Sequence, residues 1–592
     1  MNHRWEVLSL TNKKRDRKGI ILRLLTYLFH DKYLMALALV ITFIGNYINL
    51  LVPRYSGNAV DAISAPGGVD FAGVFLNCRN MMICVVINVI MTYSTQRILI
   101  YISASITNRM RKQVFDHLMT MPVSFFDQHQ AGDIISRISY DINTINTSLS
   151  GDLIVLLTTA ITVIGSFIMM VRISPRMCII FFFTTPMILL ITRHRAKKVR
   201  PLFSRRSRLL GELNGFTEEM LSGHKTIKGY GQEETIISKF AKRNLESVDA
   251  YYEAEFQGSI VGPTVQFINN FSLAVVSGFG AILYLRQMIS IGNISSFIMY
   301  SRRFSGPISE TANIFAELQS ALSAAERVFA LIDQPSEKAD DPDAYVFEHP
   351  EGNVDFDQVR FSYIPGTEIL HGLDIHAHPG KMVAIVGPTG AGKTTIINLL
   401  MRFYDPDSGV ISIDGHDILH ATRTSLRKHF SMVLQDTWLF KGTIYENVAY
   451  GNDNATREDV INACKAAHID EFIMSLKDGY DTVLTDDGVN ISKGQKQLLT
   501  IARAMLSESK MLILDEATSN VDSYTEQQIQ EAIRNLCKDK TTFIIAHRLS
   551  TIQSADQILV LDHGTIIEQG THDELLEKRG FYARLFNAQW ET

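Results

Sequence analysis

A chain of 592 residues has room for several domains, and 46% of its residues are hydrophobic, with a mean hydropathy of +0.07. A formal net charge of −5 argues against a general nucleic-acid binder. The five cysteines, Cys78, Cys84, Cys178, Cys464 and Cys537, have neither metal-ligand spacing nor the pattern of a disulfide framework, which leaves them as reduced or buried thiols.

The apolar residues are clustered. Long apolar runs dominate the first part of the chain, and the last part reads as a mixed, charged, soluble domain. A membrane-spanning helix needs about 20 predominantly apolar residues. Tyr33 to Val52 and Leu153 to Val171 meet that length. Met177 to Ile191 follows the second of these after a short connection containing a proline, so the two are expected to form a tight helical hairpin. Weaker runs lie near Met81 to Ser103, Val265 to Leu285 and Ile294 to Phe315, which brings the expectation to about six spans.

Basic residues orient these spans. NKKRDRK precedes the first, NRMRK follows the second and RHRAKKVRPLFSRRSR follows the fourth, whereas the connections after spans one, three and five carry few. Excess Lys and Arg marks the cytoplasmic side, which places both termini and the two long connections there. The basic tail has no cleavage-site pattern after a short apolar core, so it reads as the flank of an anchored first helix, with no additional N-terminal peptidase domain. The two long connections are amphipathic and have few turn residues, as expected of helices that run on past the bilayer.

Within the spans, Asn46, Asn49 and Asn88 either line a cavity or hydrogen-bond neighbouring helices. Arg302 and Arg303 are costly at membrane depth. Either one of them faces a transport cavity and favours an anionic group, or they serve a structural salt bridge or snorkel to an interface.

After the charged, proline-containing stretch Asp333 to Asn353, VDFDQVRFSY alternates like a strand. A buried apolar strand, Met382 to Val386, then runs into Gly387, Pro388, Thr389, Gly390, Ala391, Gly392, Lys393, Thr394 and Thr395, and an apolar helix follows. This is G-x-x-x-x-G-K-[ST] in the strand–loop–helix setting that gives it meaning. Glycines let backbone N–H groups wrap phosphates, Lys393 reaches the β- and γ-phosphates, and Thr394 offers a hydroxyl to Mg²⁺. A second apolar strand delivers Asp515 and Glu516 at its C-terminal end, where ligands bind in open α/β sheets. Asp515 suits the metal, and Glu516 suits polarising an attacking water. A third apolar strand ends at His547, placed for a γ-phosphate contact.

Together the phosphate loop, LILDEATS, His547 and the stretch ISKGQ (Ile491 to Gln495) resemble one family, the ATP-binding cassette (ABC) transporters. The resemblance runs over nearly the whole chain. Leu118 to Ile145 is similar to the first cytoplasmic loop of the exporter branch, Leu213 to Glu234 to the second, and Ala324 to Asp333 to the exit from the sixth helix. It implies a membrane α-helical bundle of six transmembrane helices with long cytoplasmic extensions (1–335), a linker (336–350) and an α/β P-loop NTPase domain of the ABC type (351–592). It also implies that Tyr363 stacks on adenine, that Gln435 touches Mg²⁺ and relays movement to the membrane helices, and that Ser519 to Asp522 crosses a dimer interface. ATP would lie between the phosphate loop of one subunit and Ser492, Lys493, Gly494 and Gln495 of the other.

One departure stands out. Where the family signature reads LSGGQ, this chain has Lys493 at the first glycine, while every residue of its own phosphate-loop side fits the pattern. The asymmetry resembles the consensus-Walker subunit of a heterodimeric multidrug exporter, with one competent and one degenerate site. A homodimer with two weakened sites is the alternative. The expected activity is ATP-driven export of a small molecule, drug, lipid or peptide across a bacterial plasma membrane. The expected partners are a second half-transporter subunit, the bilayer and the exported substrate. A soluble ABC ATPase is disfavoured by the spans, and an ATP-gated or regulatory membrane protein by Glu516 and His547.

Overall fold

The computed structural model describes residues 17–65, 68–435, 437–484, 491–515, 522–546 and 549–590. The apolar runs of the first part all fold as helix, a conformation that satisfies every backbone N–H and C=O without water. In chain order they are α1 (Arg17–His30), α2 (Lys32–Ile63), α3 (Phe71–Leu118), α4 (Val123–Gln128), α5 (Leu153–Ile173), α6 (Pro175–Ser222), α7 (His224–Gly229), α8 (Glu233–Ser259), α9 (Val261–Leu285) and α10 (Ile291–Ile332), with short α- and π-helical turns over 131–152. Among the described residues, five segments are long and apolar enough to cross a membrane: Lys32–Ile63, Phe71–Leu118, Ile154–Ile173, Pro175–Ser222 and Glu233–Leu285. The sixth expected span lies in α10, which is long enough at 42 residues but whose apolar character Arg302 and Arg303 interrupt.

The two 48-residue helices, α3 and α6, are each about 72 Å long at 1.5 Å per residue, more than twice the ~30 Å hydrocarbon core. Both expected extensions are therefore continuous helix, the second completed by α8 with the one-turn α7 at its tip. Between α5 and α6 the break is the single residue Ser174, with Pro175 opening α6. The connection is as tight as expected, yet α5 packs mainly on α10 and α2 and less on α6. Helix α1 was not apparent from sequence. Among its described side chains only Leu24 and Leu28 are buried, and Arg23 anchors it within the membrane unit by pairing with Asp333 at 2.7 Å while lying 4.3 Å over the Phe329 ring.

Helix α2 contains Pro53, which removes the N–H that would bond the Asn49 carbonyl. Helix α10 repairs the ladder. Arg303 Nη1 donates to that carbonyl at 2.6 Å and Nη2 to Asn49 Oδ1 at 3.1 Å, and the Tyr300 hydroxyl donates to Leu50 O. Nearby, α2 and α10 cross at Gly57 and Gly292, where a Cβ on either would fall 2.4 Å or less from the other's carbonyl oxygen. Asn46 donates to Thr42 O and accepts from Thr162, so it too stitches helices together.

Two compact units result. One holds the helices through Met119 together with Ala131–Gln334; the other holds Thr120–Gln130 with the chain from Pro335 onward. The second unit contains β1 (Val354–Phe361), β2 (Leu370–Ala377), β3 (Met382–Val386), β4 (Ser408–Ile413), β5 (His416–Asp417), β6 (Phe430–Val433), β7 (Gly442–Thr443), β8 (Val483–Leu484), β9 (Met511–Asp515), β10 (Thr541–Ile545), β11 (Gln557–Asp562) and β12 (Thr565–Gly570). A four-stranded antiparallel sheet runs β2-β1-β4-β5, and a six-stranded sheet runs β12-β11-β3-β10-β9-β6, parallel except at β12. Along β3, β9 and β10 alternate residues serve different cores. Val383, Ile385, Ile513 and Phe543 face the cluster shared with the four-stranded sheet, and Ala384, Val386, Leu512 and Ile544 face the other.

Candidate functional site

Parallel pairing sets the site. Ile545 on β10 is level with Ile385 on β3 and with Asp515 on β9, so three strands end together just where β3 gives way to the phosphate loop. The loop then turns into α11 (Lys393–Leu400). Gly392 caps that helix at φ +102°, a left-handed conformation that suits glycine. A Cβ on Gly387 would lie 2.1 Å from Leu561 O, so no side chain fits at the first loop position. Lys393 Nζ donates to the carbonyls of Gly387 at 2.7 Å and Pro388 at 3.0 Å, which folds the side chain back over the loop. Burial holds the Lys393 ammonium below its ordinary range, an effect that the nearby Asp515 charge opposes. Thr394 is exposed on the first turn of α11, and Thr395 is buried behind it.

Gln435 lies two residues past the end of β6, whose Val433 is level with Leu514, so it reaches the same sheet edge and is exposed there. Glu516 and His547 follow the ends of β9 and β10 in sequence and lie outside the described residues. Among the described residues no three His, Cys, Asp or Glu side chains cluster as a metal cage. The donors at this edge instead suit Mg²⁺, which binds through one or two protein oxygens and substrate phosphates.

Tyr363 lies two residues beyond β1 and is 40% exposed. Its hydroxyl donates to Thr395 Oγ1 at 3.2 Å and accepts from Asn398 Nδ2 at 3.0 Å. Its ring meets the edge of Tyr404 at 5.0 Å and 90°. Tyr404 in turn donates to Asp127 Oδ2 on α4 at 2.6 Å. Burial, reinforced by the Asp127 carboxylate, raises the Tyr404 phenol above its ordinary range and keeps it protonated. Neither Tyr404 nor Asp127 was singled out in the sequence, because no local pattern joins residues 277 positions apart.

ISKGQ opens the 14-residue helix α12 (Lys493–Leu506). Ser492 is its N-cap: the hydroxyl accepts from Gln495 N at 3.2 Å, and Gln495 Oε1 accepts from Ser492 N at 2.9 Å, a complete capping box. Lys493 is the first helical residue and exposed, with ordinary helical backbone, so its Cβ imposes no strain. Gly494 is buried. Asp522 caps α13 (Ser523–Cys537) by accepting from Thr525 N at 2.9 Å, and that bond holds its carboxyl below the usual range. Helices α11 and α12 cover opposite faces of the six-stranded sheet: Ile396, Leu399 and Leu400 belong to one core, and Leu498, Leu499 and Ile501 to the other.

Residues 35–308 match the ABC transporter transmembrane region, and residues 370–519 match the ABC transporter model. Over 579 residues, 98% of this chain and 96% of the relative, the chain is 39% identical to YfiC of Bacillus subtilis (strain 168), an uncharacterized ABC transporter ATP-binding protein. This chain belongs to the ABC transporter family. Other ABC relatives include a fatty acid ABC transporter ATP-binding/permease protein of Mycobacterium bovis, 39% identical over 97% of both chains. Another is the ATP-dependent lipid A-core flippase of Escherichia coli (strain K12), 36% identical over 85% of this chain and 86% of the flippase. Among solved structures, a bacterial Atm1-family ABC exporter with ATP bound superposes with a TM-score of 0.77 at 31% identity, covering 94% of this chain and 98% of that one. The protein is thus an exporter-type half-transporter, a membrane domain fused to an ATP-binding domain, and an ATPase coupled to transport.

Proposed function

We propose that the chain exports an anionic amphiphile, of fatty-acid or lipid type, as one half of a dimer in a bacterial plasma membrane with both termini cytoplasmic. The observation that supports the dimer most strongly is internal. The phosphate loop and ISKGQ open helices on opposite faces of one sheet, so a site using both motifs needs a second chain.

In that dimer the phosphate loop Gly387 to Thr395 cradles the triphosphate, Tyr363 stacks on adenine, Glu516 orients the water and His547 contacts the γ-phosphate. Mg²⁺, when bound, would be held by Thr394, Asp515 and Gln435 and would neutralise phosphate charge. The anionic substrate rests on Arg302. With Arg303 committed to Asn49, Arg302 is left exposed on α10, about 16 Å along the helix from Ile291, where a charge in hydrocarbon would be costly. The fatty-acid and lipid names of two relatives accord with an acidic headgroup.

Two assemblies share this architecture. Lys493 adds a cation at the signature, which favours a heterodimer whose second site is the slower one. The unstrained capping box around Lys493 favours a homodimer with two working sites. The test of the transport reading is ATP-dependent movement of a labelled fatty acid across proteoliposomes, abolished by Glu516→Gln. ATPase activity with no movement of any lipid or fatty acid would overturn it.

A further inference from the structure

The six-residue helix α4 is cut from the membrane part of the chain in sequence, yet it belongs to the nucleotide unit in space. Bonds between described residues place it there. Glu337 N donates to Thr120 O at 2.7 Å, Thr120 Oγ1 lies 3.0 Å from Ser336 Oγ, and Tyr404 donates to Asp127 at 2.6 Å. The first two involve the linker. The third leads to the base side of the site, through Tyr404. The Tyr404 ring contacts Phe361 at 5.6 Å and Tyr363 at 5.0 Å, both edge-on.

We infer that Tyr404 is a positioning residue linking α4 to the nucleotide base, so that α4 senses whether a base is stacked on Tyr363 irrespective of the γ-phosphate. This rests on the reading of Tyr363 as the adenine platform. The geometry favours the base over the phosphates. A base stacked on the exposed part of Tyr363 presses the ring toward Tyr404, and rings in edge-on contact cannot move independently in a packed layer. The phosphate loop reaches this aromatic pair only at its far end, through the 3.2 Å bond from the Tyr363 hydroxyl to Thr395. A bond between the half-buried Tyr404 phenol and a carboxylate is charge-assisted and directional, so it fixes the side of α4 that bears Asp127. ADP and ATP should then act alike on α4, while the distinction between them is made elsewhere in the site.

Hydrogen exchange on the full-length protein in lipid nanodiscs tests this, read at the amides of Val123–Gln128 and at those of Gly387–Thr395. ADP and ATP are both expected to slow exchange in α4 about fivefold, the scale of one net hydrogen bond. Inorganic tripolyphosphate should protect Gly387–Thr395 but leave α4 unchanged. Tyr404→Phe keeps the ring contacts and removes the hydroxyl, so nucleotide should still protect the phosphate loop and no longer protect α4. Asp127→Leu reads the same bond from its other end, and Asp127→Asn, which keeps an acceptor oxygen, should retain the response. Undiminished protection of α4 in Tyr404→Phe, or tripolyphosphate acting as well as ATP, overturns the inference. The platform reading fails separately, if Tyr363→Ala leaves ATP affinity unchanged.

Discussion

Adjacent arginines at membrane depth have different fates, and the reason lies in a proline 250 residues away. Pro53 leaves the Asn49 carbonyl without its i+4 donor, and Arg303 supplies two N–H groups to Asn49. Its charge is therefore spent on the helix backbone. Arg303→Leu should lower the unfolding stability of the detergent-solubilised protein by about 2 kcal/mol, the cost of stripping a charged donor from a part-buried acceptor. Adding Pro53→Ala restores the intrahelical donor, so the double variant should recover most of the loss. Equal losses with and without Pro53 would refute the repair. Arg302→Gln should leave that midpoint unmoved but weaken oleate-stimulated ATPase about tenfold, the equivalent of one charge-assisted contact. From sequence the two arginines were indistinguishable, since the pattern shows a charge in a span but not which face of α10 meets Pro53.

At the scale of elements, what was legible followed from patterns that are local. Strands β3, β9 and β10 are short, largely apolar and almost wholly buried, as parallel strands covered on both sides tend to be. The phosphate loop was legible because its glycines answer a steric demand at fixed spacing. Helix α1 was hidden because its anchors are an ion pair and a cation–π contact with residues more than 300 positions on. The linker's contacts were hidden in the same way. Its charges and prolines mark a linker without naming partners, and in the fold Arg427 grips Glu337 with two bonds, at 3.1 and 2.6 Å, and Arg423 holds Asp340 at 2.6 Å. Tyr345 also forms a bridge with Ala421. The same Glu337 donates its N–H to Thr120 O at the start of the α4 segment, so the clamp also ties that segment to the linker. Arg427→Ala should cost the nucleotide unit about 2 kcal/mol and open 336–350 to proteolysis, with ATP affinity unchanged. Proteolysis no faster than in the parent chain would show the clamp to be dispensable.

At the scale of the whole molecule, Lys493 is the residue whose meaning depends on a second chain. A cation at the first turn of α12 opposes that helix's own dipole, so it does nothing for the stability of the chain that carries it. Its value must lie in what approaches the helix end, and within one chain the phosphate loop opens on the other face of the sheet. In a two-fold dimer of identical chains, both composite sites contain Lys493. In a dimer with a different subunit, only the site built on that subunit's phosphate loop contains it. The two cases separate in the chain purified alone. If the heterodimer holds, this chain by itself should show little ATPase. With its natural partner, Glu516→Gln in this chain should abolish turnover, while Lys493→Gly should chiefly alter the other site. If the homodimer holds, the chain alone should be a fully active dimer, and Lys493→Gly should change turnover at both sites together. Because the capping box leaves the backbone of ISKGQ intact, either change should be electrostatic in origin and should therefore shrink as ionic strength rises. An effect of Lys493→Gly that is indifferent to salt would mean that the lysine acts by bulk, a role its unstrained place on α12 does not support.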